Sequence, residues 1–138
     1  MSNPYQILIV EDEAQWRQEI LCEALEDQGY QVQTSDSYDQ AVAALDRHTF
    51  DLIVIDINLT GVSGNQDGIR VLERLDAMGT EVQTIVISGS RTRATAAESV
   101  KKFQPLAFVD KTTFDVVAFI NLVAGALQGS APDTSRTR

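Results

Sequence analysis

Three short, uninterrupted apolar runs constrain the fold of this chain more than any other feature. They consist of Ile, Leu and Val only, and they cover residues 7–10, 52–55 and 85–87. Runs this short and this apolar are typical of strands that are buried on both faces, as in a parallel sheet with helices on each side. Two further segments are weaker strand candidates, residues 31–35, whose apolar residue is Val32, and residues 107–109, which are Ala, Phe and Val. We therefore predict five strands.

Segments with helical periodicity alternate with these runs. They cover residues 14–28, 39–47, 67–78, 93–102 and 113–128. Gly29 and Gly79 directly follow the first and the third segment, where glycine often ends a helix. Strict alternation predicts an α/β fold, a doubly wound (βα)5 arrangement around a five-stranded parallel sheet. We expect one domain over residues 1–128, and a disordered tail or linker stub over residues 129–138.

The composition excludes several classes of protein. The chain has 138 residues, of which 43% are hydrophobic and 22% charged, which is typical of a single globular domain. No apolar run approaches the roughly 20 residues of a membrane span, and no basic patch precedes the first run as in a signal peptide. Cys22 is the single cysteine, which excludes a disulfide framework and a cysteine-based zinc site. We expect a cytoplasmic protein without membrane contact.

The net charge is −9, and it bears on the partners. A strongly acidic chain has little to neutralise nucleic-acid phosphates, so we expect no nucleic-acid binding. The same charge favours basic partners and metal ions.

Polar side chains follow four of the predicted strands, at the edge where parallel sheets bind ligands. They are Glu11, Asp12 and Glu13 after the first strand, Asp56 and Asn58 after the third, Ser88 after the fourth, and Lys111 after the fifth. Each alone has a structural interpretation, because acidic residues cap helices, serines form turns and lysines are solvated. For Glu13 we favour such a cap. For the others, their joint presence at one edge favours a functional site.

The chemistry of this set indicates phosphoryl transfer. Glu11, Asp12 and Asp56 would crowd negative charge, and such a cluster either raises a pKa or binds a cation. Oxygen ligands without His or Cys suit Mg²⁺, with Mn²⁺ as an alternative. Lys111 and the Ser88 hydroxyl would bind phosphate oxygens. We therefore predict Asp56 as a carboxylate nucleophile for an in-line transfer.

The segments ILIVEDE, DLIVIDINL, TIVISGS and FVDK occur in an order and spacing that resemble the receiver domain of two-component response regulators. The resemblance covers residues 5–128 and implies the flavodoxin-like receiver fold. It also implies that Asp56 is the phosphoacceptor, and that the donor is a phosphohistidine on a sensor histidine kinase or a histidine phosphotransfer protein. By the same resemblance Glu11 and Asp12 organise Mg²⁺, Asp12 is a direct ligand, and Asn58 contributes its backbone carbonyl.

The resemblance also assigns a switch. It implies that the Ser88 hydroxyl moves toward the phosphoryl group, that Lys111 pairs with that group, and that Phe108 is the aromatic residue whose rotamer follows. Receivers usually have proline after this lysine, often in a cis peptide, whereas this chain has Thr112, for which we expect a trans bond. Phe108 replaces the commoner tyrosine, and the loop at residues 59–66 is longer than usual.

The last predicted helix is the place where we expect output, through a downstream protein target or a homodimer. Its core face is predicted to comprise Val116, Phe119, Ile120, Val123 and Leu127. A second stripe, predicted as an exposed interface, comprises Phe114, Ala118 and Leu122. The alternative is that neighbouring elements simply cover this helix. We assign Trp16 no chemical role, but expect its fluorescence to report Mg²⁺ binding.

Two other functions remain open. A haloacid-dehalogenase-type phosphatase also uses a strand-end aspartate, but usually has a second aspartate where this chain has Asn58, and needs a later acidic pair. A pseudo-receiver would keep the fold without phosphorylation, which Thr112 and the long loop leave open. We expect a signalling domain that is not an enzyme and assists only its own phosphorylation and dephosphorylation.

Overall fold

The computed structural model describes residues 4–57, 67–80, 82–89 and 100–129. Five strands in this part of the chain form one sheet, β1 (Gln6–Val10), β2 (Gln31–Ser35), β3 (Leu52–Asp56), β4 (Gln83–Ser88) and β5 (Ala107–Asp110). Their order is β2-β1-β3-β4-β5, and every neighbouring pair is parallel. The predicted five-stranded parallel α/β fold is confirmed. The chain order reverses between β1 and β3, the position where such sheets bind ligands.

The helices that the structure describes lie between the strands, or after the last one, at the predicted places in the chain. They are α1, with a π-helical part Gln15–Cys22 and an α-helical part Glu23–Glu26, then α2 (Tyr38–Arg47), α3 (Asp67–Met78) and the C-terminal helix (Val116–Gly129). Short 3-10 turns cover Lys101–Phe103 and Lys111–Thr113. The predicted helix at 93–102 lies largely outside the described residues. The C-terminal helix begins three residues later than predicted, because Lys111–Thr113 form the 3-10 turn.

The core has one layer on each face of the sheet. The first contains Leu21 and Leu25 of α1 together with Phe119, Val123 and Leu127 of the C-terminal helix. The second contains Ala41 and Ala44 of α2 together with Val71, Leu72 and Leu75 of α3. Helices therefore cover both faces, which explains why the central runs of β1, β3 and β4, at residues 7–10, 52–55 and 85–87, are apolar without interruption.

One predicted core position is wrong. Val116 is 42% exposed, whereas Phe119, Val123 and Leu127 of the same helix are buried. Val116 is the first residue of the helix, where the chain leaves the 3-10 turn, and the buried face starts at Phe119. In the described ranges, no helix combines the length and the apolar character needed to cross a membrane.

Candidate functional site

Three carboxylates meet at the carboxyl edge of the two central strands. β1 and β3 pair with Val10 opposite Ile55, so the residues that follow each strand reach the same edge. One carboxylate oxygen from each of Glu11, Asp12 and Asp56 lies within 4.8 Å of the other two. Glu11 is 1% exposed and the Asp56 side chain 9%, whereas Asp12 is exposed. The structure thus brings together the three acids that the sequence singled out.

Lys111 reaches the same place from the end of β5. Its Nζ lies 3.0 Å from Glu11 Oε1, 3.2 Å from Asp56 Oδ1 and 3.1 Å from Glu13 Oε1. The prediction that Glu13 caps the following helix is wrong, because the helix begins without a side-chain cap. The Glu13 carboxylate instead forms an ion pair with the Lys111 ammonium, as Glu11 and Asp56 do. Lys111 is therefore surrounded by three carboxylates.

Burial and like charge shift the protonation of this group. Burial raises the pKa of Glu11 to about 8, the charge of Asp56 adds to the rise, and the Lys111 ammonium offsets only part of it. Burial also raises the pKa of Asp56 to about 6, against the opposing effect of Lys111. Burial lowers the pKa of Lys111, but Asp56 and Glu11 outweigh it and raise that pKa above its ordinary value. Lys111 therefore stays charged. A further cation beside Glu11 and Asp56 would favour the ionised form of both carboxyl groups.

A buried oxygen of Glu11 shows that the site fits a metal ion. Glu11 Oε2 accepts a hydrogen bond from the Glu13 backbone N–H at 3.0 Å. Glu11 Oε1 accepts no well-directed hydrogen bond from the described residues, and the Lys111 ammonium is its close contact. A buried carboxylate oxygen whose close contact is a single ammonium, beside two more carboxylates, suits a hard divalent cation such as Mg²⁺. Asn58, the predicted fourth contributor, lies outside the described residues.

Ser88 and Phe108 lie on the two strands beyond Asp56. Asp56 pairs with Ile87, so Ser88 is one position further toward the carboxyl edge, and it pairs in turn with Asp110. Ser88 is fully buried, and its hydroxyl donates to the Gly89 carbonyl oxygen at 3.3 Å. Phe108 is half-buried and packs against the core layer under α2 and α3. Their roles in switching stay predictions.

Thr112 has a defined role where receivers usually have proline. The Lys111–Thr112 peptide is trans, as predicted. The Thr112 N–H and hydroxyl both donate to Asp110 Oδ1, at 2.9 and 2.8 Å. These bonds cap the 3-10 turn that carries Lys111. Proline has no N–H and could not make the first of them. The long loop at residues 59–66 lies outside the described residues.

Sequence reasoning missed the contributions of Arg17 and Trp16. The Arg17 guanidinium donates to the carbonyl oxygens of Glu11 at 3.0 Å and Asp12 at 3.3 Å, so it holds the acidic segment after β1. The Lys111 ammonium lies 4.8 Å from the centre of the Trp16 ring. The sequence shows that both residues lie about one turn after the acids. It does not show the contact of Trp16 with Lys111, because these two residues are 95 positions apart.

The predicted interface residues differ in exposure. Ala118 is exposed, whereas Phe114 and Leu122 are half-buried and pack against the core layer that contains Phe119. The most exposed large apolar residue of this helix is Val117, at 61%. Binding of a partner by Phe114, Ala118 and Leu122 stays a prediction.

Comparisons with known proteins identify the family of this chain. Residues 7–119 match the model of the response regulator receiver domain. The chain is 40% identical over 82 residues to the phosphate regulon transcriptional regulatory protein PhoB of Klebsiella pneumoniae, covering 59% of this chain and 34% of PhoB. It is 33% identical over 96 residues to the alginate biosynthesis transcriptional regulatory protein AlgB of Pseudomonas aeruginosa, covering 69% of this chain and 20% of AlgB.

A solved structure with a similar fold is the receiver domain of NtrX from Brucella abortus. It has a TM-score of 0.76 and 27% identity, and the match covers 90% of this chain and 99% of that one. The present chain spans about a third or less of PhoB and AlgB, so it corresponds to one part of such regulators. The resemblance inferred from the four motifs is confirmed, and the chain belongs to the family of response regulator receiver domains.

Proposed function

We propose that this receiver domain accepts a phosphoryl group on Asp56 in a reaction that depends on Mg²⁺. One observation supports this most directly, the convergence of Glu11, Asp12 and Asp56 with the Lys111 ammonium at a single edge of the sheet. A buried carboxylate beside a charged lysine and two more acids can act as a nucleophile once a cation balances the group.

The residues of this chain have different roles in the transfer. An Asp56 oxygen attacks the phosphorus of the donor, the bond from phosphorus to the donor nitrogen breaks, and its electron pair stays with the leaving imidazole. The Lys111 ammonium donates to an oxygen of the incoming group and exchanges its carboxylate contacts for that one. Ser88 would donate to a second oxygen. A divalent cation, Mg²⁺ or Mn²⁺, held by Glu11, Asp12, Asp56 and the Asn58 carbonyl, would neutralise the crowded negative charge.

The donor that we propose is a phosphohistidine of a sensor histidine kinase or of a histidine phosphotransfer protein, in the cytoplasm. PhoB and AlgB are named as transcriptional regulatory proteins, so the predicted lack of nucleic-acid binding is not confirmed. For these 138 residues we keep it as a proposal, because the net charge is −9. We also propose that the domain catalyses only its own phosphorylation and dephosphorylation.

Output through protein contacts of the C-terminal helix is part of the proposal. Val117 is 61% exposed and Ala118 is exposed, and both lie in the first turn after the segment that carries Lys111. Light scattering with and without beryllofluoride and Mg²⁺ tests the homodimer, and Ala118→Asp should abolish any dimer that forms. A monomer in both states would leave a downstream protein as the target.

Intact-mass spectrometry after incubation with acetyl phosphate and Mg²⁺ tests the acceptor. Wild type should gain one phosphoryl group, and Asp56→Asn should gain none. Asp76→Asn is the matched control, since Asp76 is an exposed aspartate of α3 and its variant should be labelled like wild type. An unlabelled wild type would overturn the proposal in favour of a pseudo-receiver. Continuous turnover of a phosphomonoester would instead favour the phosphatase.

A further inference from the structure

The Lys111 ammonium has an aromatic neighbour as well as acidic ones. Its Nζ lies 4.8 Å from the centre of the Trp16 ring, inside the roughly 6 Å range in which a cation is attracted to a ring face. Tryptophan is the strongest partner in such contacts, and partial burial strengthens them. The Lys111 side chain is 14% exposed, so little water competes with the ring.

Two further aromatic residues hold the Trp16 ring in place. Phe114 packs edge-on against it, with ring centres 5.2 Å apart and an angle of 81° between the planes. Phe114 in turn lies 5.4 Å from the ring of Phe119, which is 3% exposed. The three rings form a row from the lysine to the buried face of the C-terminal helix. Trp16 itself belongs to the first turn of the π-helical part of α1, and such segments are frequent at functional sites.

Lys111 needs such a support, because its ammonium stands on a flexible stem with four carbons. Three carboxylates hold it in the present arrangement, namely Glu11, Glu13 and Asp56. These contacts change when the acids bind a cation or when Asp56 carries a phosphoryl group. The Trp16 ring has no net charge, so its attraction for the ammonium does not vary with the protonation or metal binding of the acids.

We propose that Trp16 is a positioning residue for Lys111, whose ring, braced by Phe114, holds the ammonium beside the acceptor carboxylate while its acidic partners are exchanged. This inference rests on the proposed acceptance of a phosphoryl group at Asp56. It adds a residue from α1 that acts through the lysine, at a position that has no chemical role in the sequence-based prediction.

The test measures the rate of phosphorylation by acetyl phosphate with Mg²⁺, a small donor that needs no docking surface. Trp16→Leu should lower the rate constant at low donor concentration by about threefold to thirtyfold, the range expected for loss of a cation–ring contact. Trp16→Phe keeps a ring face and should recover most of that loss. Tyr30→Leu is the control, because Tyr30 packs against the same core layer and pairs with Tyr5, away from the lysine. It should leave the rate unchanged.

A double-mutant cycle separates positioning from a general loss of structure. In the Lys111→Met background, Trp16→Leu should change the rate by less than about twofold, because the group it acts on is gone. An equal loss in both backgrounds, or a loss of the same size in Tyr30→Leu, would overturn the inference while leaving the acceptor role intact.

The emission of Trp16 gives a second readout, since it is the single tryptophan of the chain. Lys111→Met should shift the emission relative to wild type, and beryllofluoride with Mg²⁺ should shift it again. If Lys111→Met left the emission of Trp16 unchanged, the contact between the ring and the lysine would be refuted. A wild type that takes up no phosphoryl group would refute the proposed function, and the emission would still show whether ring and lysine meet.

Discussion

Gly68 lies against the backbone of Asp56, so Gly68→Ala tests whether α3 packs against the end of β3 as closely as described. A Cβ at this position would overlap the Asp56 carbonyl oxygen and would approach Ile57 Cδ1 to 2.8 Å and Ile55 Cγ2 to 3.0 Å. The first of these atoms belongs to the backbone of a central strand and cannot rotate away. Overpacking of this kind costs about 1–3 kcal/mol, and the backbone contact places this variant at the upper end.

Two effects combine in the expected result. The better helix propensity of alanine offsets about 1 kcal/mol of the overpacking cost, which leaves a net loss of about 2 kcal/mol in the free energy of unfolding. For a chain of this size the loss corresponds to a fall of about 7 °C in Tm. Displacement of the Asp56 backbone by several tenths of an ångström should also slow phosphorylation by about tenfold.

Urea unfolding followed by circular dichroism measures the stability, and labelling by acetyl phosphate measures the rate. Gly125→Ala is the matched control, because a Cβ at Gly125 in the C-terminal helix meets nothing within 4 Å. That variant should gain up to about 1 kcal/mol and phosphorylate normally. If Gly68→Ala were as stable and as active as wild type, α3 would not pack against the end of β3 as described.

Two further predictions concern the charges and the turn at the site. The pKa values of Asp56 and Glu11 are raised to about 6 and about 8, so the folded state binds protons more tightly than the unfolded state. Without a divalent cation, the free energy of unfolding should therefore fall between about pH 4 and about pH 8, Mg²⁺ should reverse part of the loss, and Glu11→Gln should flatten the curve in urea titrations. Thr112→Pro restores the residue that is usual in receivers, but it removes both the N–H and the hydroxyl that donate to Asp110 Oδ1. It should therefore lose about 1 kcal/mol of stability, whereas an unchanged urea midpoint would contradict the role of these bonds.

The sheet was predictable because the apolar composition of its central strands indicates that they are buried on both faces. Residues 7–10, 52–55 and 85–87 are apolar on both sides of the chain, and only burial between two helical layers makes such a pattern favourable. α3 begins and ends as predicted, since its apolar spacing is strong and Gly79 ends it with a φ of +72°. The acidic cluster followed from topology alone, because the carboxyl ends of neighbouring parallel strands meet at one edge.

Other features depend on side chains that meet across the fold. Glu13 is predicted to cap a helix because acidic residues after a strand often do so, whereas its ion-pair partner, Lys111, is 98 residues away. Val116 fits the helical spacing of Phe119 and Val123, yet it is the first residue of the helix and is 42% exposed. Periodicity defines the face of a helix, but the packing of its first residue depends on where the helix starts.

The segment that carries Lys111 shows how a departure from a family pattern can be compensated locally. A proline after the lysine would restrict the backbone through its ring. Here Thr112 restricts the same turn through two bonds to Asp110, while Trp16 supports the lysine side chain from α1. The two devices act on different parts of Lys111, the backbone and the ammonium. Loss of the Thr112 N–H should therefore act mainly on stability, and loss of the Trp16 ring mainly on the phosphorylation rate, which separates their contributions by experiment.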